Sequence, residues 1–180
     1  AEPGDIIRLS AGVFSLEDSL SLDVAGVQIE GEGMSQTILD FSNQLSGAQG
    51  LSVTSNNVTL QDFAIQNAKG DAIKVKGVTN IKFLRVKTEW TNGPSSDNGA
   101  YGLYPVESKN VLIDGCVAIG ASDAGIYVGQ SQNIIVRNSR AEFNVAGIEI
   151  ENSYFADVYN NVATNNTGGI LVFDLPGLPQ

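Results

Sequence analysis

Chemically useful side chains recur at one slot of a repeated pattern, two positions after the residue that opens each repeat. Lys74, Tyr104, Tyr127 and Glu149 occupy this slot in four successive repeats. A lysine can neutralise a bound carboxylate, and a tyrosine can donate or accept a proton, so this set could carry out acid–base chemistry. We therefore predict Lys74, Tyr104 and Tyr127 as catalytic residues.

A second set of residues is predicted to bind a ligand next to the catalytic candidates. Lys76 and Glu151 lie two positions beyond Lys74 and Glu149, so on a β-strand each pair would point to one side. Asp123 stands near the edge of a repeat, where it could act as an acid or as a cation ligand. The predicted binding residues are Lys76, Trp90, Asp97, Asp123, Glu149 and Glu151.

Glu149 and Glu151 also offer a pair of carboxylates on one face, with Asp174 near them. Two-carboxylate hydrolysis of a glycosidic bond requires such a pair at about 5 to 9 Å. Strand alternation alone produces the same spacing, and exposed sheets often carry tyrosine and glutamate for cross-strand packing. Both interpretations stay open at the level of sequence.

A repeat of about 22 residues positions these side chains. The steps between successive opening residues are 22, 30, 23, 22 and 22, so one insertion of about eight residues interrupts an otherwise steady period. The opening segments read GLSV from Gly50, AIKV from Ala72, GLYPV from Gly102, GIYV from Gly125, GIEI from Gly147 and GILV from Gly169.

The repeats predict an all-β fold. Apolar residues alternate with polar ones, β-branched residues are abundant, and no long apolar stripe has the helical period. One unit is too short to bury its apolar face, but units stacked at about 4.8 Å would form parallel sheets around a shared core. We predict a right-handed single-stranded parallel β-helix, a solenoid of about six to seven coils, because parallel crossovers are strongly biased to the right hand.

Recurrent asparagines are predicted to form ladders at the turns of this solenoid. They precede the second strand of each unit or stand three residues before the next opening glycine, where asparagine tolerates the left-handed conformation and can bond to the adjacent coil. Cys116 falls at a core slot and is predicted to be a small buried hydrophobe. The ladder residues are Asn57, Asn80, Asn110 and Asn133, with Asn144 and Asn166 in the second set.

Residues 1–180 are predicted to be a single β-helix domain with an inserted loop at 88–101. Insertions in solenoids often map to the binding face. The chain opens inside a first coil and stops directly after a strand, whereas solenoids normally cover their ends with caps. This predicts a piece of a longer solenoid, or one whose ends associate with another copy.

Composition excludes several classes of function. The formal charge is −10 and no Lys/Arg cluster is visible, which argues against nucleic acid as a partner. Histidine is absent, which removes the commonest general base and zinc ligand. A single cysteine cannot form an intramolecular disulfide or a cysteine-type metal site. We expect no cofactor, with Ca²⁺ left open, and no membrane span, since no apolar run reaches about 20 residues.

The segments DNGAYGLYPV and GCVAIGASDAGIYVGQSQNIIVRN resemble the right-handed parallel β-helix repeat family, and in particular bacterial proteins with a parallel β-helix domain in the pectate lyase-like superfamily. The superfamily includes pectate and alginate lyases, polygalacturonases, mannuronan epimerases and a periplasmic protein of copper-site maturation. The resemblance implies a periplasmic or extracellular location and a preference for acidic polysaccharides. The Asp-Pro-His-Asp motif of the epimerases and the paired aspartates of the polygalacturonases are absent, so neither mechanism transfers directly.

Three hypotheses follow. The chain could be a polysaccharide lyase or uronate epimerase, with sugar rings stacked on Tyr104 and Tyr127 and a uronate carboxylate at Lys74 or Lys76. It could instead be a carbohydrate-binding solenoid without catalysis. It could also be a structural or assembly module whose ends associate with other chains. Whether the protein is an enzyme stays open.

Overall fold

The computed structural model describes residues 1–179 and contains, over that range, nineteen β-strands and no α-helix. The strands form two parallel sheets, one of seven strands and one of twelve. Seven successive coils, with a period of about 23 residues, each contribute one strand to the seven-stranded sheet. The predicted right-handed parallel β-helix and its number of coils are confirmed.

The seven-stranded sheet carries the opening segments of the repeats. Its strands are β3 (Asp18–Leu22), β6 (Ser46–Val53), β8 (Ile73–Lys76), β10 (Leu103–Val106), β13 (Ala124–Gly129), β16 (Ala146–Glu151) and β19 (Gly168–Phe173).

The twelve-stranded sheet carries the rest of each coil and bends at a corner, so that the long β7 and β9 correspond to two short strands in later coils. Its strands are β1 (Ile6–Arg8), β2 (Gly12–Ser15), β4 (Gln28–Glu30), β5 (Thr37–Asp40), β7 (Val58–Gln66), β9 (Thr79–Glu89), β11 (Lys109–Asp114), β12 (Val117–Ile119), β14 (Gln132–Arg137), β15 (Arg140–Glu142), β17 (Tyr154–Tyr159) and β18 (Val162–Thr164).

The core lies between the two sheets and consists of stacked aliphatic and aromatic side chains. The alternating apolar residues of β6 through β16 are buried, including Leu51, Ile73 and Ile148. In β19 the equivalent residues are exposed, Ile170 by 47% and Val172 by 75%. This strand has a neighbour on one side only, so the apolar side chains of the last coil lack the cover that inner coils receive.

The asparagine ladder along the first turn has the predicted geometry. Asn57, Asn80, Asn110 and Asn133 all have left-handed backbones, with φ between 55 and 63°. Each amide donates to the amide oxygen of the preceding coil, at 2.7 Å for Asn80 to Asn57, 2.7 Å for Asn110 to Asn80 and 3.0 Å for Asn133 to Asn110. The ladder therefore fixes the lateral register of four coils.

The second ladder differs from its prediction in one respect. The Asn144 amide donates to the Asn166 oxygen at 3.0 Å, as expected, but the left-handed residues at this turn are Phe143 and Asn165, one position earlier. Asn144 instead turns inward, where its oxygen accepts from the Ala121 amide at 2.8 Å. Gly125 is required here for space, because a Cβ atom would come within 2.6 Å of the Asn144 amide nitrogen.

Cys116 is fully buried in the core, as predicted. Burial raises the pKa of its thiol to about 12, mainly because the thiolate would lose its hydration, so the side chain stays protonated and behaves as an apolar residue. Within residues 1–179 the structure holds no helix with the length and apolar character needed to cross a membrane.

The first ladder generates a stability prediction. Asn110→Ala loses two amide hydrogen bonds of the ladder and places an alanine in the left-handed region, so the free energy of unfolding should fall on the order of 1–2 kcal/mol. Asn110→Gly loses the same hydrogen bonds but tolerates the backbone, so it should be less destabilised than the alanine variant. Urea unfolding followed by far-ultraviolet circular dichroism measures both, and equal losses would contradict the role of the left-handed backbone.

Candidate functional site

Three tyrosine rings contact one another on the outer face of the seven-stranded sheet. The ring centroids of Tyr101 and Tyr104 are 4.4 Å apart, those of Tyr101 and Tyr127 are 4.9 Å apart, and those of Tyr104 and Tyr127 are 5.0 Å apart. The planes are tilted or edge-on, which are favourable arrangements for aromatic rings. We call Tyr101, Tyr104 and Tyr127 the tyrosine patch.

The register of the sheet places the patch between a lysine and a glutamate. Tyr104 pairs with Lys74 in the coil before it, and Tyr127 pairs with Glu149 in the coil after its own. Gly129 leaves room for the Tyr127 ring, because any Cβ at this position would overlap the phenol. The patch therefore depends on parallel in-register stacking of the coils and on glycine at position 129.

Both lysines near the patch are paired with carboxylates. The Lys74 Nζ lies 3.5 Å from the Asp71 carboxylate and 4.9 Å from the centroid of the Tyr104 ring, a cation–π arrangement. The Lys76 Nζ lies 3.4 Å from the Glu107 carboxylate, and both of these side chains are well exposed. Lys74 is therefore held against the patch, whereas Lys76 lies in solvent at its edge.

Two tyrosine hydroxyls interact with carboxylates. Asp123 contributes to the raised pKa of Tyr101, and Glu151 contributes to the raised pKa of Tyr127. The Gln130 side-chain amide also donates to the Tyr127 hydroxyl at 3.3 Å.

Glu149 differs from its neighbours because it is buried without a hydrogen bond. It is 8% exposed and lies between Tyr127 and Leu171 in the adjacent coils. Burial raises the pKa of its carboxyl to about 7, with further contributions from the negative charges of Asp123 and Glu151. This pKa allows Glu149 to exchange a proton near neutral pH.

The patch keeps its tyrosines protonated. Burial is the largest cause that raises the pKa of Tyr101, Tyr104 and Tyr127, and nearby carboxylates add to it. Burial also raises the pKa of Asp71, although Lys74 opposes this effect. At neutral pH the phenols are therefore hydrogen-bond donors rather than ready proton acceptors.

The structure brings six of the predicted site residues together and separates others from them. Trp90 is 5% exposed and packs in the core, where its indole nitrogen donates to the Ala68 carbonyl at 2.8 Å. Asp97 is exposed in the irregular segment 90–102, which connects β9 to β10. The residues grouped around the patch are Lys74, Tyr104, Asp123, Tyr127, Glu149 and Glu151.

Two residues of the site were missed by the sequence reasoning. Tyr101 and Asp71 occupy the slot immediately before the opening residue of two neighbouring repeats. The Ala72 amide donates to the Tyr101 carbonyl at 2.8 Å, which places Tyr101 beside the coil that carries Asp71. The aligned repeats could have indicated that Asp71 and Tyr101 are neighbours, because both occupy the position just before the opening residue, where later repeats have small residues.

Among residues 1–179, no group of three or more Asp, Glu or Cys side chains has the arrangement needed to hold a metal ion. Among the carboxylates of the patch, Asp71 pairs with Lys74, whereas Asp123 and Glu151 interact with tyrosines. The site thus combines a cluster of aromatic rings with one acid, Glu149, that can exchange a proton near neutral pH.

Comparison with known proteins identifies the family of this chain. The family model described as a right handed beta helix region matches residues 25–176. The chain belongs to the right-handed β-helix family. A comparison with curated proteins found no match.

Solved structures similar to this β-helix chain include a rhamnogalacturonan lyase, with a TM-score of 0.70 at 14% identity. A mannuronan C-5 epimerase A-module from Azotobacter vinelandii follows, with a TM-score of 0.66 at 17% identity. The first alignment covers 99% of this chain and 57% of the other chain, and the second covers 93% and 54%. The chain thus spans little more than half the length of either structure, and similarity at this identity establishes the shared fold.

A third similar structure is an alginate lyase from a Paenibacillus species, with a TM-score of 0.54 at 16% identity. The alignment covers 88% of this β-helix chain and 69% of the lyase.

The buried Glu149 generates a prediction of pH-dependent stability. The pKa of this carboxyl is about 7 in the folded chain against an ordinary value of 4.5, so the folded state holds the proton more tightly. The free energy of unfolding should therefore decrease as pH rises from about 4.5 to about 7, and the loss is complete above that. Glu149→Gln resembles the protonated acid, so relative to the unsubstituted chain it should be more stable at pH 8 than at pH 4.5.

Urea midpoints of both chains at several pH values measure this difference. Glu142→Gln is the matched control, because Glu142 lies on the twelve-stranded sheet and its pKa is lowered by Arg140. A constant difference between Glu149→Gln and the unsubstituted chain from pH 4.5 to pH 8 would contradict the prediction.

Proposed function

We propose that this β-helix protein binds an extended polysaccharide across the tyrosine patch and modifies it there. The observation that carries the proposal is the contact of three tyrosine rings on an outer sheet face, flanked by Lys74 and Glu149. Aromatic rings present flat apolar surfaces that can pack against sugar rings, and their hydroxyls add polar contacts.

The row from Lys74 to Glu149 suits an extended ligand better than a compact one. Four successive coils contribute one side chain each, so the row is about 14 Å long at the usual spacing between strands. A polymer lying along the solenoid axis would contact Lys74, the rings and Glu149 in order. Tyr101 and Tyr104 are half-buried and Tyr127 is buried, so a ligand would first contact the exposed parts of Tyr101 and Tyr104.

The structural comparisons support a carbohydrate ligand. The similar structures are, by their names, a rhamnogalacturonan lyase, a mannuronan C-5 epimerase and an alginate lyase. All three names describe action on a polysaccharide. Export to the periplasm or the extracellular space, where such polymers occur, belongs to the same proposal.

Lyase or epimerase chemistry is the modification that the sequence suggested. In that reaction Lys74 would neutralise a uronate carboxylate while Tyr104 or Tyr127 exchanged a proton with the sugar. The geometry adds two requirements to this chemistry. The substrate carboxylate would have to replace Asp71 as the partner of Lys74, and a phenol would have to react although its raised pKa keeps it protonated. Tyr127 is therefore better suited to donate a proton than to remove one.

Binding without turnover is the second candidate. The hydroxyls of Tyr101 and Tyr127 already interact with carboxylates, and Lys74 is already paired, so the patch could serve as a preorganised binding surface without catalysis. This candidate predicts retention of a glycan without any change in its length, unsaturation or configuration.

Affinity gels that contain pectate, alginate, xylan, galactan or mannan test the proposal directly. We expect at least one polymer to retard the chain, and Tyr104→Ala to weaken its binding about tenfold through loss of ring contacts worth about 1 kcal/mol or slightly more. Phe155→Ala is the matched aromatic control, because Phe155 is 81% exposed on the twelve-stranded sheet and should have no effect. Retardation by none of the polymers, or equal weakening by both substitutions, would contradict the proposed site.

The same incubations test turnover of an acidic polymer. Ultraviolet absorbance of an unsaturated product from pectate or alginate, lost in Tyr127→Phe, would establish elimination at the patch. Retardation without absorbance, with new reducing ends or without them, would rule out elimination, and self-association without any glycan binding would favour a structural solenoid.

A further inference from the structure

A polar cleft opens beside the tyrosine patch, at the turn that leads into the seven-stranded sheet. Its volume is about 660 Å³, within the range of ordinary small-ligand sites. One wall is the inserted loop at residues 94–96, and the other wall comes from the turns that precede β13, β16 and β19. We call it the loop cleft, and the function proposed above does not use it.

The lining of the loop cleft has the composition of a site for a neutral ligand rich in hydroxyl groups. Within the described part of the chain it contains four hydroxyl side chains, three asparagine amides and no charged side chain. The side chains of Ser122, Asn165 and Thr167 form no hydrogen bond within residues 1–179, so they are free to bond to a ligand. A charged ligand would find no counter-ion here, whereas sugar hydroxyls can both donate to and accept from these groups.

Phe143 adds an aromatic ring to the loop cleft at a position where the fold does not require one. Its backbone is left-handed, with φ at 60°, and the equivalent residues of the adjacent coils are Gly120 and Asn165, which tolerate this conformation. The Phe143 side chain is 43% exposed and lies outside the core. Strained backbones cluster at functional sites, and this ring offers a flat surface against which a sugar ring can pack.

Hydrogen bonds hold the loop wall of the cleft in place. The Asn98 side-chain amide donates to the carbonyls of Gly93 and Gly120, at 2.9 and 2.6 Å. The Ser122 backbone amide donates to the Gly99 carbonyl at 3.0 Å. These bonds connect the inserted loop to the turn of the next coil, and a preformed wall reduces the ordering cost of binding a ligand.

The loop cleft adjoins the tyrosine patch. Ser122 lines the cleft, and the next residue, Asp123, interacts with Tyr101 of the patch. Val145 also lines the cleft, and the next residue, Ala146, packs with the rings of the patch. A polymer that lies along the solenoid axis would therefore pass over the patch and beside the cleft, so only a group that projects sideways from the polymer can enter the cleft.

We propose that the loop cleft binds a neutral sugar side group of the polysaccharide whose main chain lies on the tyrosine patch. The side group packs on the Phe143 ring and exchanges hydrogen bonds with the hydroxyls and amides of the lining. This assignment rests on the function proposed above and specifies its ligand as a branched polysaccharide. It involves no bond making or breaking, so it holds whether the patch catalyses a reaction or only binds.

Affinity gels with matched linear and branched polymers test the assignment. The pairs are mannan with galactomannan, xylan with arabinoxylan, and pectate with a pectin that carries neutral side chains. The full chain should be retarded more strongly by the branched member of at least one pair. Phe143→Asn should weaken binding of that branched polymer about three- to tenfold, through loss of ring contacts, and change binding of the linear member less than about twofold. Phe143→Tyr should keep the preference.

Two controls separate the loss of a ligand contact from a change in the fold. Phe143→Asn introduces the residue that the following coil has at this position, so its urea midpoint should be no lower than that of the unsubstituted chain. Phe155→Asn is the matched control, because Phe155 also has a left-handed backbone, with φ at 56°, but lies on the twelve-stranded sheet. It should leave binding of both members of each pair unchanged.

Equal retardation by both members of every pair, or a preference that survives Phe143→Asn, would overturn the binding of a side group while retention of the linear polymers left the proposed function intact. A lower urea midpoint of Phe143→Asn would show that the ring stabilises the fold and would overturn its assignment to a ligand. Retention of a branched polymer that Tyr104→Ala does not weaken would overturn the placement of the main chain on the patch. Failure of every polymer to be retained would overturn the proposed function, and the side-group assignment with it.

Discussion

Parallel in-register stacking of coils is the constraint on which the rest of this structure depends. Each coil satisfies its backbone hydrogen bonds with the coils on either side, so a residue's slot in the repeat decides whether it faces the core or the solvent. Chemically different residues at one outer slot thereby become neighbours in space. Lys74, Tyr104, Tyr127 and Glu149 are 75 residues apart along the chain from first to last, yet they form one row about 14 Å long.

The asparagine ladders and the patch are two results of the same stacking. At the turns, identical residues repeat and their amides bond along the axis, which stabilises the register. On the outer face of the seven-stranded sheet, the residue type at an outward position differs from coil to coil, so tyrosine rings lie beside carboxylates. Gly129 shows that the two depend on each other, because the Tyr127 ring fits only where the backbone beside it carries no side chain. The rigid ladder positions a face whose chemistry is set by a few non-repeating residues.

Much of this arrangement could be predicted from the repeats, since period and alternation decide which residues face outward. The row that contains Tyr104 and Tyr127 follows from the alignment of opening segments, as does the burial of Cys116. The aligned repeats place Tyr101 next to the strand, but they do not give the direction of its ring, because the residue precedes the strand and its orientation depends on the turn. Trp90 was predicted to bind a ligand, but its indole packs inward and donates to the Ala68 carbonyl. The orientation of a side chain at a turn depends on the backbone conformation there, which the alternation of inward and outward residues along strands does not determine.

The account also explains why neighbouring carboxylates on one face need not share a role. Glu149 has no hydrogen-bond partner, and burial together with the negative charges of Asp123 and Glu151 raises the pKa of its carboxyl to about 7. Sequence spacing shows that the acids are close, but only the packing of adjacent coils shows which one is left without a partner.

Nuclear magnetic resonance of tyrosine rings labelled with carbon-13 tests the central claim most directly, because the chain contains five tyrosines. Three form the patch, and Tyr154 and Tyr159 lie on β17 of the other sheet. Titration with a polysaccharide that retards the chain should shift the ring signals of Tyr101, Tyr104 and Tyr127 and leave the other two unchanged. Shifts confined to Tyr154 and Tyr159, or no ring shifts at saturation, would contradict polysaccharide binding at the tyrosine patch.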